Sequence, residues 1–268
     1  MERALRICEA PLAFCENPET RSWLASPGVP FSALRTFWNR RYRRRNMNQR
    51  YEACRTFWNE VFQKEDGALP TERFTGNAAF DRALAWVCDG TARMLDFGCG
   101  SGTLLFYCAL YGTKEHVGVD LSSAAIAQAK KRAEKAASGR FSFREGGVET
   151  LSSLPNRSVD GALLSNILDN LYPDDARLLL RELRRLLRPG GRLLVKLNPH
   201  LSAQEIAGWN MQVIEGNLLD DGLLLWNNTT EEWQALLSEF FAVRHYEEIF
   251  YPEHEQVNRL FLLEAAPD

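Results

Sequence analysis

Residues 92–102, ARMLDFGCGSG, restrict the fold more than any other stretch of the chain. A short apolar run ends in an acid, Asp96, and glycines follow at three alternate positions, Gly98, Gly100 and Gly102. The run reads as a buried strand, and SGTLLFYCALYG behind it as a helix that the loop opens. Glycines at such a junction let the backbone take positive φ and approach a ligand closely. Strand, tight loop and helix form the first unit of an open parallel sheet, in which ligands bind beyond the carboxyl ends of the strands.

The pattern continues downstream. HVGVD (116–120) predicts a second strand, and SSAAIAQAKKRAEKAA (122–137) a helix with Ser122 as N-cap. RFSFREG (140–146) and SVDGALLSN (158–166) read as the third and fourth strands. PDDARLLLRELRRLL (173–187) is an amphipathic helix stopped by the RPGG that follows, and RLLVKLN (192–198) is a fifth strand. MQVIEGNLL and LLLWNN flank the turn Asp220–Gly222 and suggest a hairpin. A helix at 229–241 opens with a capping box, Thr229 and Glu232, and VRHYEEIFY and VNRLFLLEA form a terminal antiparallel pair. Strands alternating with helices give an α/β fold with a mainly parallel sheet covered on both faces.

Three segments are expected. Residues 1–46 form a basic extension ending in RRYRRR (40–45), which is poor in periodic apolar pattern and need not be ordered. Residues 47–90 form a helical cap or lid, in which Tyr51, Cys54, Trp58, Val61 and Phe62 share one apolar face. Residues 91–268 form the main domain, with an insertion at about 205–228 that carries Trp209 and Trp226. Trp58 and Phe62 read equally as pocket walls or as core anchors. The arginine run reads either as a contact for an acidic partner or as a solvated face. Met47 offers an alternative start, with 1–46 as an upstream extension.

With a formal net charge of −3, the chain as a whole is not built to cling to nucleic acid. No apolar run reaches bilayer-spanning length, and the first residues lack the apolar core of a secretory signal. None of the six cysteines, Cys8, Cys15, Cys54, Cys88, Cys99 and Cys108, has CxxC spacing, so reduced thiols in a cytoplasmic protein are expected and no metal site is.

The loop departs from the dinucleotide fingerprint, because the third glycine's place holds Thr103. No Gly-Lys-Ser/Thr follows, which excludes a phosphate-binding P-loop. Asp96 beside the loop repels a pyrophosphate and suits an ammonium, while Asp120, ending VGVD, can accept hydrogen bonds from both hydroxyls of a ribose. Each acid also has a plainer reading as a helix cap. A cofactor with a ribosyl part, an ammonium and no phosphate fits both, and S-adenosylmethionine has all three features.

LDFGCGSG at 95–102, VGVDLS at 117–122 and LLRPGGRLLVKL at 186–197, in this order and spacing, resemble the class I, Rossmann-like S-adenosylmethionine-dependent methyltransferases, above all the small-molecule group. The resemblance covers about 92–266 and implies a seven-stranded sheet whose last strand is antiparallel. It implies S-adenosyl-L-methionine as cofactor and S-adenosyl-L-homocysteine as product. By position, Asp96, Gly98, Cys99, Gly100 and Gly102 belong to the loop at the methionine end, Asp120 holds the ribose, and Leu121 packs on the adenine. Many members carry an acid after the third strand; here that position falls at Gly147, which leaves adenine recognition to the backbone near Val148 or to Glu149.

In the family, the turn after the fourth strand faces the methyl group. Ser165, Asn166, Asp169, Asn170 and Tyr172 are therefore site candidates, with Asn166 or Asp169 positioning a nucleophile and Asp174 capping the next helix. His200 reads either as a base near neutral pH or as a solvent-facing loop residue, and His245 and His254 have weaker claims. The LNPH stretch lacks the second proline and aromatic of the amino-methylating motif, and no Pro-Cys follows the fourth strand. Those absences favour a small-molecule acceptor over nucleic acid. The rivals are a nucleic-acid methyltransferase gripping phosphates with the basic run, and a binding module without turnover. The pattern sets no oligomeric state.

Overall fold

The computed structural model describes residues 50–64, 68–252 and 255–267. The basic run at 40–45, Cys8, Cys15 and His254 lie outside the described residues. The elements in chain order are α1 (Glu52–Lys64), α2 (Ala78–Cys88), β1 (Arg93–Phe97), α3 (Thr103–Leu110), β2 (Glu115–Asp120), α4 (Ser123–Ala133), β3 (Arg140–Glu145), β4 (Val159–Ser165) and α5 (Pro173–Leu186). They continue with β5 (Leu187–Leu197), α6 (Ala203–Gly208), β6 (Gln212–Glu215), β7 (Leu218–Asp220), β8 (Leu224–Trp226), α7 (Thr230–Ser238), β9 (Ala242–Tyr251) and β10 (Gln256–Glu264).

Seven strands form one sheet in the order β3-β2-β1-β4-β5-β10-β9. The first five are mutually parallel, and β10 is antiparallel to both neighbours. The expected seven-stranded sheet with an antiparallel last strand is present. Strand order reverses between β1 and β4, which opens a crevice at their carboxyl ends.

Two apolar cores flank the sheet. Leu95 and Phe97 of β1 pack with α5 on one face, and Met94 packs with Leu84 and Val87 of α2 on the other. In α5, Ala176, Leu179, Leu180, Leu183 and Leu186 recur at helical spacing and are fully buried. These four buried leucines contribute roughly 6–12 kcal/mol gross, before conformational entropy. Pro173 opens α5, Asp174 and Asp175 occupy its first turn, and Arg184 and Arg185 its last, in accord with the helix dipole. The N-cap is Tyr172, so Asp174 lies in the first turn rather than at the cap.

Three local features differ from the sequence pattern. The helix stops at Leu186, and RPGG runs inside β5 as a register irregularity opposite Val159 and Gly161. The Gly190 amide donates to Ala265 O and the Ala265 amide to Gly191 O, so the chain's last strand holds that stretch extended. The hairpin at Asp220–Gly222 is the β7–β8 pair, and β6 adds a third strand because the chain also turns at Gly216, where φ is +59°. α6, with its capping box Ser202 and Glu205, was not expected.

α1 lies over the carboxyl end of β2. Asn59 Oδ1 accepts from Ser122 Oγ at 2.7 Å and from the Ala124 amide at 3.2 Å, which ties α1 to the start of α4. Tyr51 Oη donates to Asp175 Oδ2 at 2.8 Å and accepts from the Tyr172 amide at 3.0 Å, which ties it to α5.

Candidate functional site

A cavity of about 240 Å³ opens at the carboxyl ends of β1, β2, β4 and β5, beneath α1. Its floor is the glycine loop. Gly98 and Gly100 have φ of +78° and +52°, a region L side chains enter at a cost. A Cβ at Gly98 would meet Ile167 Cγ1 at 2.8 Å, and one at Gly100 would meet Phe62 Cζ at 2.8 Å. Both positions thus need glycine for conformation and for closeness.

The amides of Gly98, Cys99, Gly100 and Gly102 are occupied. Gly98 and Cys99 donate to Val119 O at 2.8 and 3.1 Å, Gly100 to Asp120 Oδ2 at 2.8 Å, and Gly102 to Cys99 O at 2.9 Å. A loop that grips phosphate must aim such amides outward. Gly102 opens α3 and packs on Phe143, and Cys99 turns its thiol toward Gly118; neither lines the cavity. Burial pushes the Cys99 thiol well up, so it stays protonated.

Asp120 stands on the cavity wall. Its Oδ2 takes the Gly100 amide and its Oδ1 the Ser122 amide, the latter at 2.8 Å. Burial raises its pKa, and those backbone amides oppose the rise. Leu121, Val148, Glu149 and Ser165 line the same cavity. Glu149 folds back so that the Gly147 amide donates to its Oε1 at 2.8 Å.

Asp96 lies below the loop rather than in the wall. Strand alternation turns it to the face that Met94 occupies, opposite Phe97. It is 1% exposed, and its Oδ1 has no hydrogen-bond partner among the described residues. Burial, and then the charge of Asp120, push its carboxyl up to about 8.

Of the three expected reaction residues, Asn166 alone lines the cavity. Asp169 is fully buried beneath it, where Oδ2 accepts from the Asn198 amide at 2.7 Å. Burial raises the Asp169 pKa, and the Asn198 amide and then the Arg259 charge oppose it. His200 is exposed and off the wall, because Asn227 clamps the neighbouring Leu201 through hydrogen bonds of 2.8 and 2.9 Å to its backbone. His245 is exposed on β9 beside Glu247. Asn170 lines the cavity, Tyr172 is buried against Tyr51, and Trp226 is a core residue packed edge-to-face on Trp233. Trp58 and Phe62 are wall residues, and Trp209 is exposed.

Tyr51, Cys54, Ile167, Asn198 and Leu223 also reach the cavity. Asn198 follows the fifth strand directly, a position the strand-end rule points to. Leu223 comes from the β7–β8 turn, and no local signal in the sequence assigns it there. Among the described residues no three His, Cys, Asp or Glu side chains gather as a metal-binding group.

Comparison with known proteins agrees with this geometry. Residues 95–195 match the family model described as a methyltransferase domain. A probable methyltransferase, ltbC, of Aspergillus luteorubrus is 31% identical over 47% of this chain and 46% of its own length. The ribosomal protein L11 methyltransferase of Ralstonia pickettii is 32% identical over 43% of this chain and 35% of its own length. The chain thus spans less than half the length of either relative. The structure of Burkholderia thailandensis 1,6-didemethyltoxoflavin-N1-methyltransferase, solved with its substrate and S-adenosylhomocysteine, superposes with a TM-score of 0.57 at 20% identity. That superposition covers 96% of this chain and 92% of that one. Residues 95–195 thus match a methyltransferase domain, set in a sheet of Rossmann-like order.

Proposed function

We propose that the protein is an S-adenosylmethionine-dependent methyltransferase acting on a small molecule held in the cavity. One observation carries this reading: Asp120 stands on the wall beside a glycine loop whose Gly98, Cys99, Gly100 and Gly102 amides are already bonded within the protein. Such a site suits a ribose and disfavours a phosphate. The other residues fit the same group. Phe97, Val119, Leu121 and Val148 give apolar walls for a base, and the unpartnered Asp96 Oδ1 below the loop favours a cation above it. The superposition on a small-molecule methyltransferase along nearly the whole chain supports the acceptor class.

When bound, the cofactor supplies an electrophilic methyl group on a sulfonium. The chain's part is binding and alignment. Asp120 accepts from the ribose hydroxyls, and the segment Gly146–Glu149 borders the base. Asn166 and Asn170 face the acceptor, with Asp169 supporting Asn198 from below. Trp58, Phe62 and Leu223 exclude water. Holding the nucleophile in line accounts for roughly 7–11 kcal/mol of barrier reduction. His200 stands off the wall and is assigned no proton transfer.

Residues 47–90 serve as the lid, 91–268 as the catalytic unit, and the insertion at 205–228 closes the side opposite α1 through Leu223. The described cysteines, Cys54, Cys88, Cys99 and Cys108, are free thiols, and no helix among the described residues is long and apolar enough to cross a membrane. Free thiols fit a reducing compartment and support a cytoplasmic location.

The test is calorimetric titration with S-adenosylmethionine, S-adenosylhomocysteine and NAD, on the wild type, Asp120→Asn and Asp120→Ala. Both sulfur ligands bind the wild type, affinity falls at least about tenfold in Asp120→Asn and further in Asp120→Ala, and NAD does not bind. NAD binding in place of the sulfur ligands would refute the reading.

A further inference from the structure

The acceptor end of the cavity is lined by carboxamides, and one of them is fixed from behind. Asn166 follows β4 with φ of +54°, while its amide donates to Lys196 O at 2.8 Å. Among the described residues three other non-glycines have positive φ, and all three, Arg157, Asn210 and Glu255, sit in connecting turns away from the cavity. Asn166 instead departs from a central strand at the cavity rim, where stored backbone strain points to function.

A relay of hydrogen bonds sets its orientation. Asn258 Nδ2 donates to Leu197 O at 3.0 Å and to Asn166 Oδ1 at 3.2 Å. Gln256 Nε2 donates to Asn258 Oδ1 at 2.9 Å. A backbone carbonyl only accepts, so Leu197 fixes the amino end of Asn258. That end fixes the oxygen of Asn166, and Asn166 Nδ2 is left for the cavity without a bond to any described residue. Asn258 and Gln256 are 3% and 8% exposed, on a strand that continues through the buried Arg259 to Leu260, Phe261 and Leu262. Burying two carboxamides there is costly unless each is bonded, and a strand that served only the sheet would carry apolar side chains at these positions.

We propose that Asn258 and Gln256 are positioning residues that aim Asn166 Nδ2 as a fixed donor at the methyl acceptor. The acceptor is then an apolar ring bearing a carbonyl oxygen beside the atom that is methylated. The oxygen meets Asn166, and the ring lies against Trp58, Phe62 and Leu223. This rests on the reading of the cavity as a methyl-transfer site.

The test uses the full chain loaded with S-adenosylhomocysteine and two probes of one frame, α-tetralone and tetralin, titrated by ligand-observed NMR. The ratio of their affinities reads the oxygen alone. Asn166→Asp keeps the shape and the bond from Asn258 but replaces the donor by an acceptor, and the ratio falls about three- to tenfold, as for one net hydrogen bond. Asn258→Leu frees Asn166 to turn and lowers the ratio less; where that variant does not fold, Asn166→Asp alone decides. A ratio unchanged in Asn166→Asp, or no binding of α-tetralone to the wild type, overturns the inference. Calorimetry of S-adenosylhomocysteine on the same samples separates the two readings: if the wild type does not bind it, the methyltransferase reading itself fails.

Discussion

Replacing Asp96 by asparagine tests whether the acid below the glycine loop is the stability cost that the fold carries for its ligand. In the folded chain the carboxyl is held up to about 8, first by burial and then by Asp120, whereas an unperturbed aspartate releases its proton at 3.8. Between those values the native state binds a proton that the unfolded chain has lost, so stability falls as pH rises, by a factor of about ten per pH unit in the unfolding equilibrium. The penalty is about 2 kcal/mol at pH 5 and about 5 kcal/mol at pH 8. Asparagine removes the ionisation and adds its own buried polar group, a cost of about 1–3 kcal/mol that does not vary with pH. The quantity to measure is therefore the gap between wild type and Asp96→Asn in urea unfolding without ligand. It should shift in the variant's favour by about 3–4 kcal/mol between pH 5 and pH 8. Groups not coupled to Asp96 cancel. A gap that stays constant with pH would mean that Asp96 titrates as an ordinary carboxylate, and the reasoning from its burial would fail.

His116 gives the opposite sign. Its Nδ1 donates to Arg140 O and its Nε2 accepts from Thr113 Oγ1, and burial holds its pKa down at about 4. The unfolded imidazole takes a proton near 6.5, so the wild type should lose stability as pH falls from 6.5 to 4, and His116→Gln should not; paired acid titrations followed by circular dichroism check this. Gly98→Ala places a Cβ 2.8 Å from Ile167 Cγ1 at a φ of +78°, and should cost about 2–4 kcal/mol in chemical denaturation. Adding Ile167→Ala should recover the steric share but not the backbone strain, so a purely additive cycle would count against it. Tyr51→Phe removes the hydroxyl that bridges Asp175 and the Tyr172 amide, at about 1–3 kcal/mol. Hydrogen exchange should then quicken in α1 while β4 and β5 keep their protection.

Much of this architecture is legible in the sequence because local chemistry and global fold agree. The Ser122 cap, the Thr229–Glu232 box, the α5 periodicity and the five parallel strands all stand where their residues place them. What stays hidden is long-range or depends on which way a residue faces. Tyr51 and Asp175 are 124 positions apart, and no local pattern joins them. Asp169 reads as a turn residue with access to substrate, but the one-turn helix Leu168–Asn170 rotates successive side chains apart, leaving Asp169 inside and Asn170 on the wall. The burial of Asp96 was open to the period-two rule applied to Met94, Leu95, Asp96 and Phe97, since only one alternate pair can share a face with α5.

Three departures from local preference meet near one cavity. Asn166, left-handed at the end of a central strand, lines it; Asp96, buried without a full set of partners, lies beneath the glycine loop; and the carboxamides of Asn258 and Gln256 stand behind Asn166. Each weakens the fold by itself: Asp96 by its ionisation, Asn166 by roughly 1–3 kcal/mol of backbone strain, and Asn258 by desolvation that its hydrogen bonds offset. From Leu260 to Leu263 β10 is apolar, and the helices around the sheet are capped and patterned as their sequences require. Buried polar groups elsewhere in the cores, such as His116 and Arg132, are held by hydrogen bonds within the protein. The convergence of the three on the end of the sheet where strand order reverses fits selection by binding. A ligand that meets Asp120 from the wall and Asn166 from the acceptor side uses groups that the empty fold has little other reason to keep.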